Sequence, residues 1–573
     1  MRRIARLTVF SLPLLLGALV LAQVAPVTRA PAIRPAQTVG AHNGLVVAQE
    51  ERAARIGIEI LDRGGNAVDA AVAVGFALAV TYPRAGNIGG GGFMVVHLTK
   101  DNRDLAIDYR ETAPAAASET MFLDAEGNPN PEKSRDSALS VGVPGTVAGL
   151  ALAHEKYGSG KFALADLIAP AIDLAEKGFQ VEDDLADSLP QASERLKRWP
   201  TTTSIFFNGD RPMQEGDRLI QLDLADTLRA IAKDGPGAFY QGRIATQIAS
   251  AVVKAGGIMS KDDLANYRAI ERPVVRGTYR GFDIVSSPPP SSGGVHLIQM
   301  LNILEGYDLA HLSREESLHD MIEAMKRAYA DRAVFMGDPD VLKIPTDGLT
   351  SKAYAKSLRA TIGERATPAA EIRPGNPSDF EGRNTTHFSV LDRDGNAVSN
   401  TYTLNFSYGL GLIAEGTGVL LNNELDDFTS KPGTANAYKL VGYNANLPGP
   451  GKRPLSSMAP TIVLKDGKPF LITGSPGGSR IISAVLQVIV NTIDFQMPIG
   501  QAMSAPRLHH QWQPDEVYAE PGFAPDVLDA LEKRGHKIVP TPPHTSTNSI
   551  EVTADGYVGA ADRRTRGSLA AGF

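Results

Sequence analysis

The most constraining feature of this 573-residue chain is an abrupt change of character at residue 385. Residues 364–384 are polar and rich in proline and glycine, which is typical of a linker. Residues 385–391, which follow at once, are rich in β-branched and aromatic side chains. A turn dipeptide at Asp394-Gly395 and a second β-rich segment at 397–404 complete the pattern. The sequence therefore predicts a β-hairpin whose first strand begins with Thr385, directly after a linker.

The length of the hairpin turn decides which residue faces which. A two-residue turn pairs Thr386 with Thr403, and a three-residue loop pairs Thr385 itself with Thr403. If the chain is cut before Thr385, the freed α-amine, with a pKa of about 7.7–8.0, can act as the base that a threonine hydroxyl needs to become a nucleophile. A threonine-rich edge hairpin without any chemistry is the plain structural alternative.

The N-terminus has the pattern of a secretory signal. Arg2, Arg3 and Arg6 precede an apolar run at 7–21, and small residues follow, so we expect cleavage after Ala22. The run is shorter than the about 20 residues that cross a bilayer, but an uncleaved anchor is the alternative. No later segment resembles a membrane helix. We expect a periplasmic or secreted protein without stable membrane insertion.

Composition excludes several classes of site. The chain contains no cysteine, which removes disulfides, cysteine nucleophiles, thiolate metal sites and a lipoprotein anchor. Its net charge of −7, without a long basic run, argues against nucleic acid as a partner. The pair His509-His510 does not suit a metal, because adjacent side chains of a strand point to opposite faces.

The rest of the chain shows a mixture of helical and strand patterns. Asn66 is expected to cap an apolar helix that ends before Pro83. A glycine-rich loop at 86–92 precedes two paired strands, and proline and serine make a second rigid loop at 288–294. The strands are predicted at 93–98 and 105–110, and helices near 147–157, 164–177, 222–233, 295–304, 316–335 and 481–493.

Long motifs resemble those of the γ-glutamyltransferases, a family of N-terminal nucleophile hydrolases. NTTHFS at 384–389 is similar to the family's processing site. The downstream pattern continues through GNAV at 395–398, TYTLN at 401–405, LNNELDDF at 421–428, KRPLSSM at 452–458 and GSPGGSR at 474–480. Upstream, residues 86–94, DYRE at 108–111 and PPPSSGG at 288–294 fit the same family. The motifs occur in order over nearly the whole mature chain.

The resemblance implies an α+β fold of four layers, an αββα sandwich, whereas periodicity alone indicates only mixed α and β. It also implies self-cleavage of the Asn384–Thr385 bond after removal of the signal at 1–22. The products are a large subunit, 23–384, and a small subunit, 385–573, held together as a heterodimer. Thr385 then resembles the catalytic nucleophile, and Thr403 the second hydroxyl that supports it.

The same resemblance implies the substrate site. Gly477 and Gly478 match the oxyanion hole, and Tyr438 matches an aromatic gate in a lid that some cephalosporin-acylase relatives lack. The residues matched to the substrate α-carboxylate are Arg110, Ser456 and Ser457, and those near its α-amine are Asn405, Glu424 and Asp427.

These residue types suit a group that carries a carboxylate and an ammonium on one carbon. An arginine offers a planar fork to a carboxylate, and two acids three residues apart can meet an ammonium. Backbone N–H groups before a helix can stabilise an oxyanion by about 3–4 kcal/mol each. Taken singly, each feature has a plain alternative: a structural ion pair for the arginine, a turn for the acids, loop capping for the serines and a tight turn for the glycines.

We therefore expect a γ-glutamyltransferase with glutathione hydrolase activity. γ-Glutamyl amides such as glutathione would be the donors, and water, amino acids or dipeptides the acceptors, with no metal or cofactor. One alternative is an acylase of the same family that acts on glutaryl groups of cephalosporins. The other is an uncleaved, non-catalytic secreted binding protein.

Overall fold

The computed structural model describes residues 33–373, 385–435 and 440–573. The predicted signal at 1–22, Asn384 and Tyr438 therefore lie outside the described residues. The helices are α1 Glu51–Asp62, α2 Ala67–Thr81, α3 Thr146–Tyr157, α4 Leu164–Lys177, α5 Asp183–Leu196, α6 Pro200–Phe206, α7 Leu222–Asp234, α8 Gly237–Tyr240, α9 Gly242–Lys254, α10 Lys261–Asn266, α11 Gly293–Leu304, α12 Arg314–Phe335, α13 Thr346–Leu349, α14 Lys352–Arg359, α15 Arg480–Ile493, α16 Ile499–Ser504 and α17 Pro525–Lys533.

The strands alternate with these helices along the chain. They are β1 Gln37–Ala41, β2 Gly44–Ala48, β3 Gly91–Leu98, β4 Arg103–Asp108, β5 Phe179–Gln180, β6 Phe207–Asn208, β7 Arg211–Pro212, β8 Arg218–Leu219, β9 Ile270–Arg272, β10 Val275–Tyr279, β11 Phe282–Ser286, β12 Thr385–Asp392, β13 Ala397–Thr403, β14 Ile413–Ala414, β15 Val419–Leu420, β16 Thr434–Ala435, β17 Val441–Gly442, β18 Thr461–Lys465, β19 Lys468–Thr473, β20 Leu508–His509, β21 Val517–Ala519, β22 Ile538–Pro540, β23 Asn548–Thr553, β24 Gly556–Ala561 and β25 Leu569–Gly572.

Two antiparallel seven-stranded sheets form the centre of the protein. Sheet 1 has the strand order β25-β2-β12-β13-β3-β4-β9, and sheet 2 has the order β1-β24-β23-β19-β18-β11-β10. Both sheets mix strands from before and after residue 385. Cleavage at that point would therefore leave the two parts joined by hydrogen bonds between neighbouring strands.

The side chains of β2 show how the layers are stacked. Leu45 and Val47 lie in the apolar cluster between the sheets, together with Ile462 and Ile472 of sheet 2. Val46 and Ala48 belong instead to the cluster on the outer face of sheet 1, which includes α1 and α2. This alternation is the period of two expected of a strand that is buried on both faces.

A second helical layer, formed by α11, α12 and α15, packs on the outer face of sheet 2 through residues such as Val463 and Leu471. The result is helix, sheet, sheet, helix. The four-layer αββα sandwich implied by the family resemblance is confirmed.

Helix α2 follows its sequence pattern closely. Asn66 accepts hydrogen bonds from the backbone of Val68 and Asp69, and Asp69 accepts one from the backbone of Asn66, which makes a capping box. Every residue of the helix is buried, as its apolar composition on all sides requires. It ends at Thr81, before Pro83, as predicted.

The hairpin adopts the second of the two registers that the sequence allows. Leu391 faces Ala397 and Thr385 faces Thr403 across β12 and β13. The N–H of Asp392 also donates to the Asn396 carbonyl at 3.1 Å, so the loop contains the three residues 393–395, and Gly395 takes the left-handed conformation there, with φ of +83°. Thr385 is therefore the direct backbone partner of Thr403.

The other predicted elements are also present. The paired strands are β3 and β4, and the predicted helices correspond to α3, α4, α7, α11, α12 and α15, with ends that differ by a few residues. Within residues 33–373, 385–435 and 440–573, no helix has the length and hydropathy needed to cross a membrane.

Candidate active site

The candidate site begins where β12 starts and β13 ends. Thr385 and Thr403 are paired there, and the Thr403 Oγ1 atom accepts a hydrogen bond of 2.9 Å from the backbone N–H of Asn405. Asn405 has a left-handed backbone, with φ of +73°, so the chain turns sharply after the strand. Its amide Nδ2 donates to the carbonyl of Asn423 at 2.9 Å. This bond ties the end of β13 to the acidic segment at 424–427.

The glycine-rich loop holds Thr403 from the side of β3. The Nδ2 atom of Asn87 donates to the Thr403 carbonyl at 2.8 Å, and the Oδ1 atom of Asn87 accepts from the N–H of Gly90 at 2.8 Å. A Cβ atom on Gly90 would lie 2.0 Å from the Thr403 carbonyl oxygen, so only glycine fits. The sequence indicated the loop, but it did not indicate that Asn87 is the residue that fixes it.

Arg110 follows β4 and is fully buried. Its guanidinium donates one hydrogen bond from Nη1 to Glu424 and one from Nη2 to Asp427. Nε and Nη2 also donate to the carbonyls of Pro454 and Leu455, each at 3.0 Å. Four hydrogen bonds thus come from a group that has five N–H bonds. The second N–H on Nη1 has no hydrogen-bond acceptor among the described residues and is available to a ligand.

Glu424 and Asp427 lie in a single 3₁₀ turn, Glu424–Asp427, and both are buried. Each gives one oxygen to Arg110. Their other oxygens, Glu424 Oε2 and Asp427 Oδ1, are also buried and accept no hydrogen bond from any residue in the described part of the chain. Buried polar atoms are normally paired, so this pair of acceptors suits a ligand that donates hydrogen bonds.

Burial dominates the electrostatics of this acidic turn. It raises the pKa of the Glu424 carboxyl to about 8, against the opposing effect of Arg110. Burial likewise raises the pKa of Asp427 well above its usual value. A cation between the two would favour their charged forms, because an opposite charge within a few ångströms lowers the pKa of a carboxyl.

Glu111 is a third buried acid beside the arginine, and the sequence alone indicates no role for it. Its Oε2 atom lies 3.7 Å from Arg110 Nη1. Burial raises the pKa of the Glu111 carboxyl to about 8, and Arg110 opposes that rise. The DYRE motif contained this residue, but nothing in a motif shows whether a carboxyl is buried.

Ser456 and Ser457 follow the two carbonyls to which Arg110 donates. The Oγ atom of Ser456 accepts from the N–H of Met458 at 3.1 Å. The Oγ atom of Ser457 accepts from Nη2 of Arg332 at 2.8 Å. Arg110 thus contacts the backbone directly before the two serines, and Arg332, for which the sequence indicated no role, contacts Ser457.

The two glycines assigned to the oxyanion hole precede α15. Gly477 and Gly478 have φ values of +131° and +59°, and their carbonyls accept the first hydrogen bonds of the helix. At Gly474, a Cβ atom would lie 2.4 Å from the ring of His387. His387 belongs to β12 and is the third residue of that strand. The glycine segment therefore packs beside the start of β12.

The histidine pair has ordinary hydrogen-bond partners. His509 contacts Ser483 at 2.9 Å, and His510 contacts Asp515 at 3.1 Å. Among the residues that the structure describes, no group of three or more histidine, aspartate or glutamate side chains could hold a metal ion.

Comparison with known proteins gives consistent results. A family model described as Gamma-glutamyltranspeptidase matches residues 53–572. A glutathione hydrolase proenzyme of Escherichia coli (strain K12) is 51% identical over 540 residues, 93% of each chain. A crystal structure of cephalosporin acylase from Bacillus halodurans has a TM-score of 0.84 at 29% identity and covers 96% of this chain and 98% of that one. Helicobacter pylori gamma-glutamyltranspeptidase has a TM-score of 0.55 at 48% identity, covering 56% of this chain and 93% of that one.

Proposed function

We propose, since this chain belongs to the gamma-glutamyltranspeptidase family, that it uses Thr385 to attack γ-glutamyl amides. The protein is a γ-glutamyltransferase with glutathione hydrolase activity, made as a proenzyme and processed into two subunits. The observation that best supports the proposed site is the buried Arg110 between Glu424 and Asp427, each with a second buried oxygen that lacks a donor among the described residues. A zwitterionic ligand fits that set of groups.

Processing is the first step of the proposed mechanism. The Thr385 hydroxyl attacks the carbonyl carbon of Asn384, the peptide C–N bond breaks, and the freed nitrogen becomes the α-amine of Thr385. Water then hydrolyses the resulting ester. The products are the large subunit 23–384 and the small subunit 385–573. The proenzyme name of the Escherichia coli relative and the linker composition of 364–384 support this step.

The substrate is held by its α-carbon groups. We assign the ammonium to Glu424 Oε2, Asp427 Oδ1 and the side chain of Asn405. The carboxylate accepts hydrogen bonds from the remaining N–H of Arg110 and from the hydroxyls of the two serines at 456 and 457. Charge-assisted hydrogen bonds of this kind are about twice as strong as neutral ones, so they can select the glutamyl group.

Acyl transfer then proceeds in two steps. The α-amine of Thr385 takes the proton of its hydroxyl, and the oxygen attacks the γ-carbonyl carbon of the donor. The N–H groups of Gly477 and Gly478 stabilise the oxyanion, and Thr403 orients the nucleophile. The amide C–N bond breaks, the amine leaves with the proton, and a glutamyl ester stays on Thr385. Water or the amine of an amino acid or dipeptide attacks that ester and releases the enzyme.

A cephalosporin acylase is the nearest alternative, because the Bacillus halodurans neighbour covers almost the whole chain. A glutaryl group has no ammonium, however, and would leave the two buried oxygens of Glu424 and Asp427 without a donor. The γ-glutamyl group is therefore favoured. Tyr438 remains our proposal for a gate over the same pocket.

Thr385→Ala tests the nucleophile. The wild type should give two fragments, and the smaller should begin with Thr385, whereas the variant should stay one chain of slightly less than 60.9 kDa. Thr385→Ser, which keeps a hydroxyl, is the matched control and should still be cut. Two fragments from Thr385→Ala, or full activity in an uncut wild type, would contradict the proposal.

The substrate class can be tested by comparing the rates with two donors. Wild type should release p-nitroaniline from its γ-glutamyl derivative faster than it cleaves glutaryl-cephalosporin, and the reverse order would favour the acylase. An uncut wild type without either activity would favour a binding protein.

We also propose export with cleavage after Ala22, and the large fragment of the exported protein should then begin at Gln23.

A further inference from the structure

A second buried arginine lies behind the two serines of the site. Arg332 belongs to α12, is 1% exposed, and donates from Nη2 to Ser457 Oγ at 2.8 Å and from Nε to Ser292 Oγ at 2.7 Å. Arg110 follows a strand of sheet 1, whereas Arg332 comes from the helical layer outside sheet 2. Two guanidinium groups from different layers therefore contact the segment at 454–457.

The contact with Arg332 fixes what the Ser457 hydroxyl can do. A guanidinium only donates hydrogen bonds, so the Ser457 oxygen is the acceptor. Its own proton must then point away from Arg332 and is available to another acceptor. The Ser456 oxygen also accepts, from the N–H of Met458. Both serines are thus left as O–H donors, which is the arrangement that binds an anion.

Ser292 links Arg332 to the backbone of the serine segment. It accepts from Arg332 Nε and donates from Oγ to the Ser456 carbonyl at 2.8 Å. The N–H of Ser292 donates to that carbonyl as well, also at 2.8 Å. Arg332 therefore holds the position of the serine segment as well as the direction of one hydroxyl.

Arg110 alone offers little to an incoming carboxylate. Four of its hydrogen bonds go to Glu424, Asp427 and two carbonyls, and two of those partners are acids. A further positive charge close to the serines would compensate for the acids in a region of low dielectric constant.

We propose that Arg332 is a positioning residue for the substrate α-carboxylate. It aligns the Ser457 O–H bond with that group and supplies a second positive charge behind it. This inference rests on the proposed function, because the carboxylate is the one on the α-carbon of the γ-glutamyl donor.

The test compares two donors that differ only in that carboxylate: γ-glutamyl-p-nitroanilide and 4-aminobutyryl-p-nitroanilide. The measured quantity is the ratio of their kcat/KM values, with single turnover at excess enzyme for the slower donor. Arg332→Met should lower the ratio about tenfold, the effect of one hydrogen bond to a charged group. Arg332→Lys keeps the positive charge but lacks the planar set of N–H donors. Its ratio should therefore lie between those of the wild type and Arg332→Met.

Two controls separate positioning from a general loss of structure. Arg314→Met removes an arginine from the other end of α12 and should leave the ratio unchanged. In a Ser457→Ala background, Arg332→Met should lower the ratio by clearly less than in the wild type, because the mediating hydroxyl is already absent.

The outcomes are distinct. If Arg332→Met lowers kcat/KM equally for both donors, or for neither, the ratio is unchanged. Either result would overturn the role of Arg332 even if the wild type is a good γ-glutamyl enzyme. A wild type without preference for the γ-glutamyl donor would instead count against the proposed function. If Arg332→Met accumulates as an uncut chain, Arg332→Lys alone and combined with Ser457→Ala gives the same comparison.

Discussion

Asn87→Ala should cause a large loss of stability, because this one side chain joins two distant parts of the active site. Asn87 is 3% exposed and takes part in four hydrogen bonds, each of 2.8 Å. Its Nδ2 donates to the carbonyls of Ala85 and Thr403, and its Oδ1 accepts from Gly90 N–H and Thr146 Oγ1.

The magnitude follows from these contacts. At about 1 kcal/mol of net stability for each hydrogen bond, alanine should cost about 4 kcal/mol. Thr146 keeps part of its contribution, because its hydroxyl also donates to the Gly90 carbonyl at 3.1 Å. The buried N–H of Gly90 has no such second partner in the described structure, which keeps the expected loss between about 3 and 4 kcal/mol.

Urea denaturation can measure this loss in a Thr385→Ala background, where the chain should remain uncut. The midpoint shift multiplied by the mean slope gives the difference in free energy of unfolding. Asn87→Asp keeps the acceptor Oδ1 but loses both Nδ2 donors, so it should cost at least half as much. Asn266→Ala, at the exposed end of α10, is the matched control and should change stability by less than about 0.5 kcal/mol. A loss below about 1 kcal/mol for Asn87→Ala would refute the reasoning.

Three further changes probe separate parts of the site. Asp427→Asn should lower kcat/KM for γ-glutamyl-p-nitroanilide about tenfold to a hundredfold but spare a glutaryl anilide, because only the first donor carries an ammonium. Gly477→Ala should lower kcat about a hundredfold, since φ is +131° and the new Cβ would lie 2.6 Å from Thr545 Cγ2, which displaces the N–H. Glu111→Gln should be stabilised relative to wild type as the pH rises from 5 to 8. Burial raises the pKa of Glu111 to about 8, so folding favours its protonated form, and wild-type stability falls as the pH approaches that value. Urea midpoints of both proteins at the two pH values would show whether the difference grows.

The sequence predicts those parts of the fold that depend on residues close to one another in the chain. The hairpin depends on β-forming residues on either side of a turn, and α2 depends on the cap at Asn66 and on apolar residues throughout. Even the pairing of Thr385 with Thr403 was one of two registers that the turn allowed. The four layers were implied only by the family resemblance, because periodicity cannot show which face packs on which.

The residues that support the site could not be predicted in the same way. Asn87 and Thr403 are 316 residues apart, and Arg332 and Ser457 are 125 apart. An asparagine in a glycine-rich loop looks like any turn residue, and an arginine near the end of a helix is usually exposed. Only the tertiary structure shows that their partners are a strand end and a serine hydroxyl.

Helix α12 shows that a charged sequence pattern does not by itself indicate exposure to solvent. Its charged residues would normally indicate a solvated face, yet every residue from Ser317 to Ala333 is buried. Glu323 pairs with Lys326 at 3.1 Å and with Arg327 at 2.6 Å. These two cations also donate to the carbonyls of Thr367 and Thr361, at 2.8 and 2.7 Å.

Those carbonyls lie in the chain before the proposed cleavage point, so α12 holds the segment at 361–367 with charges that are already paired. Burial is tolerable for such groups only when each has a partner, because an uncompensated buried charge costs several kcal/mol. Arg332 lies more than one turn further along the same helix and donates to the hydroxyls of Ser292 and Ser457 instead. One buried helix thus contacts both the segment at 361–367 and the serine segment at 456–457, and the effect of a substitution in it should depend on the partners of the replaced side chain rather than on its charge alone.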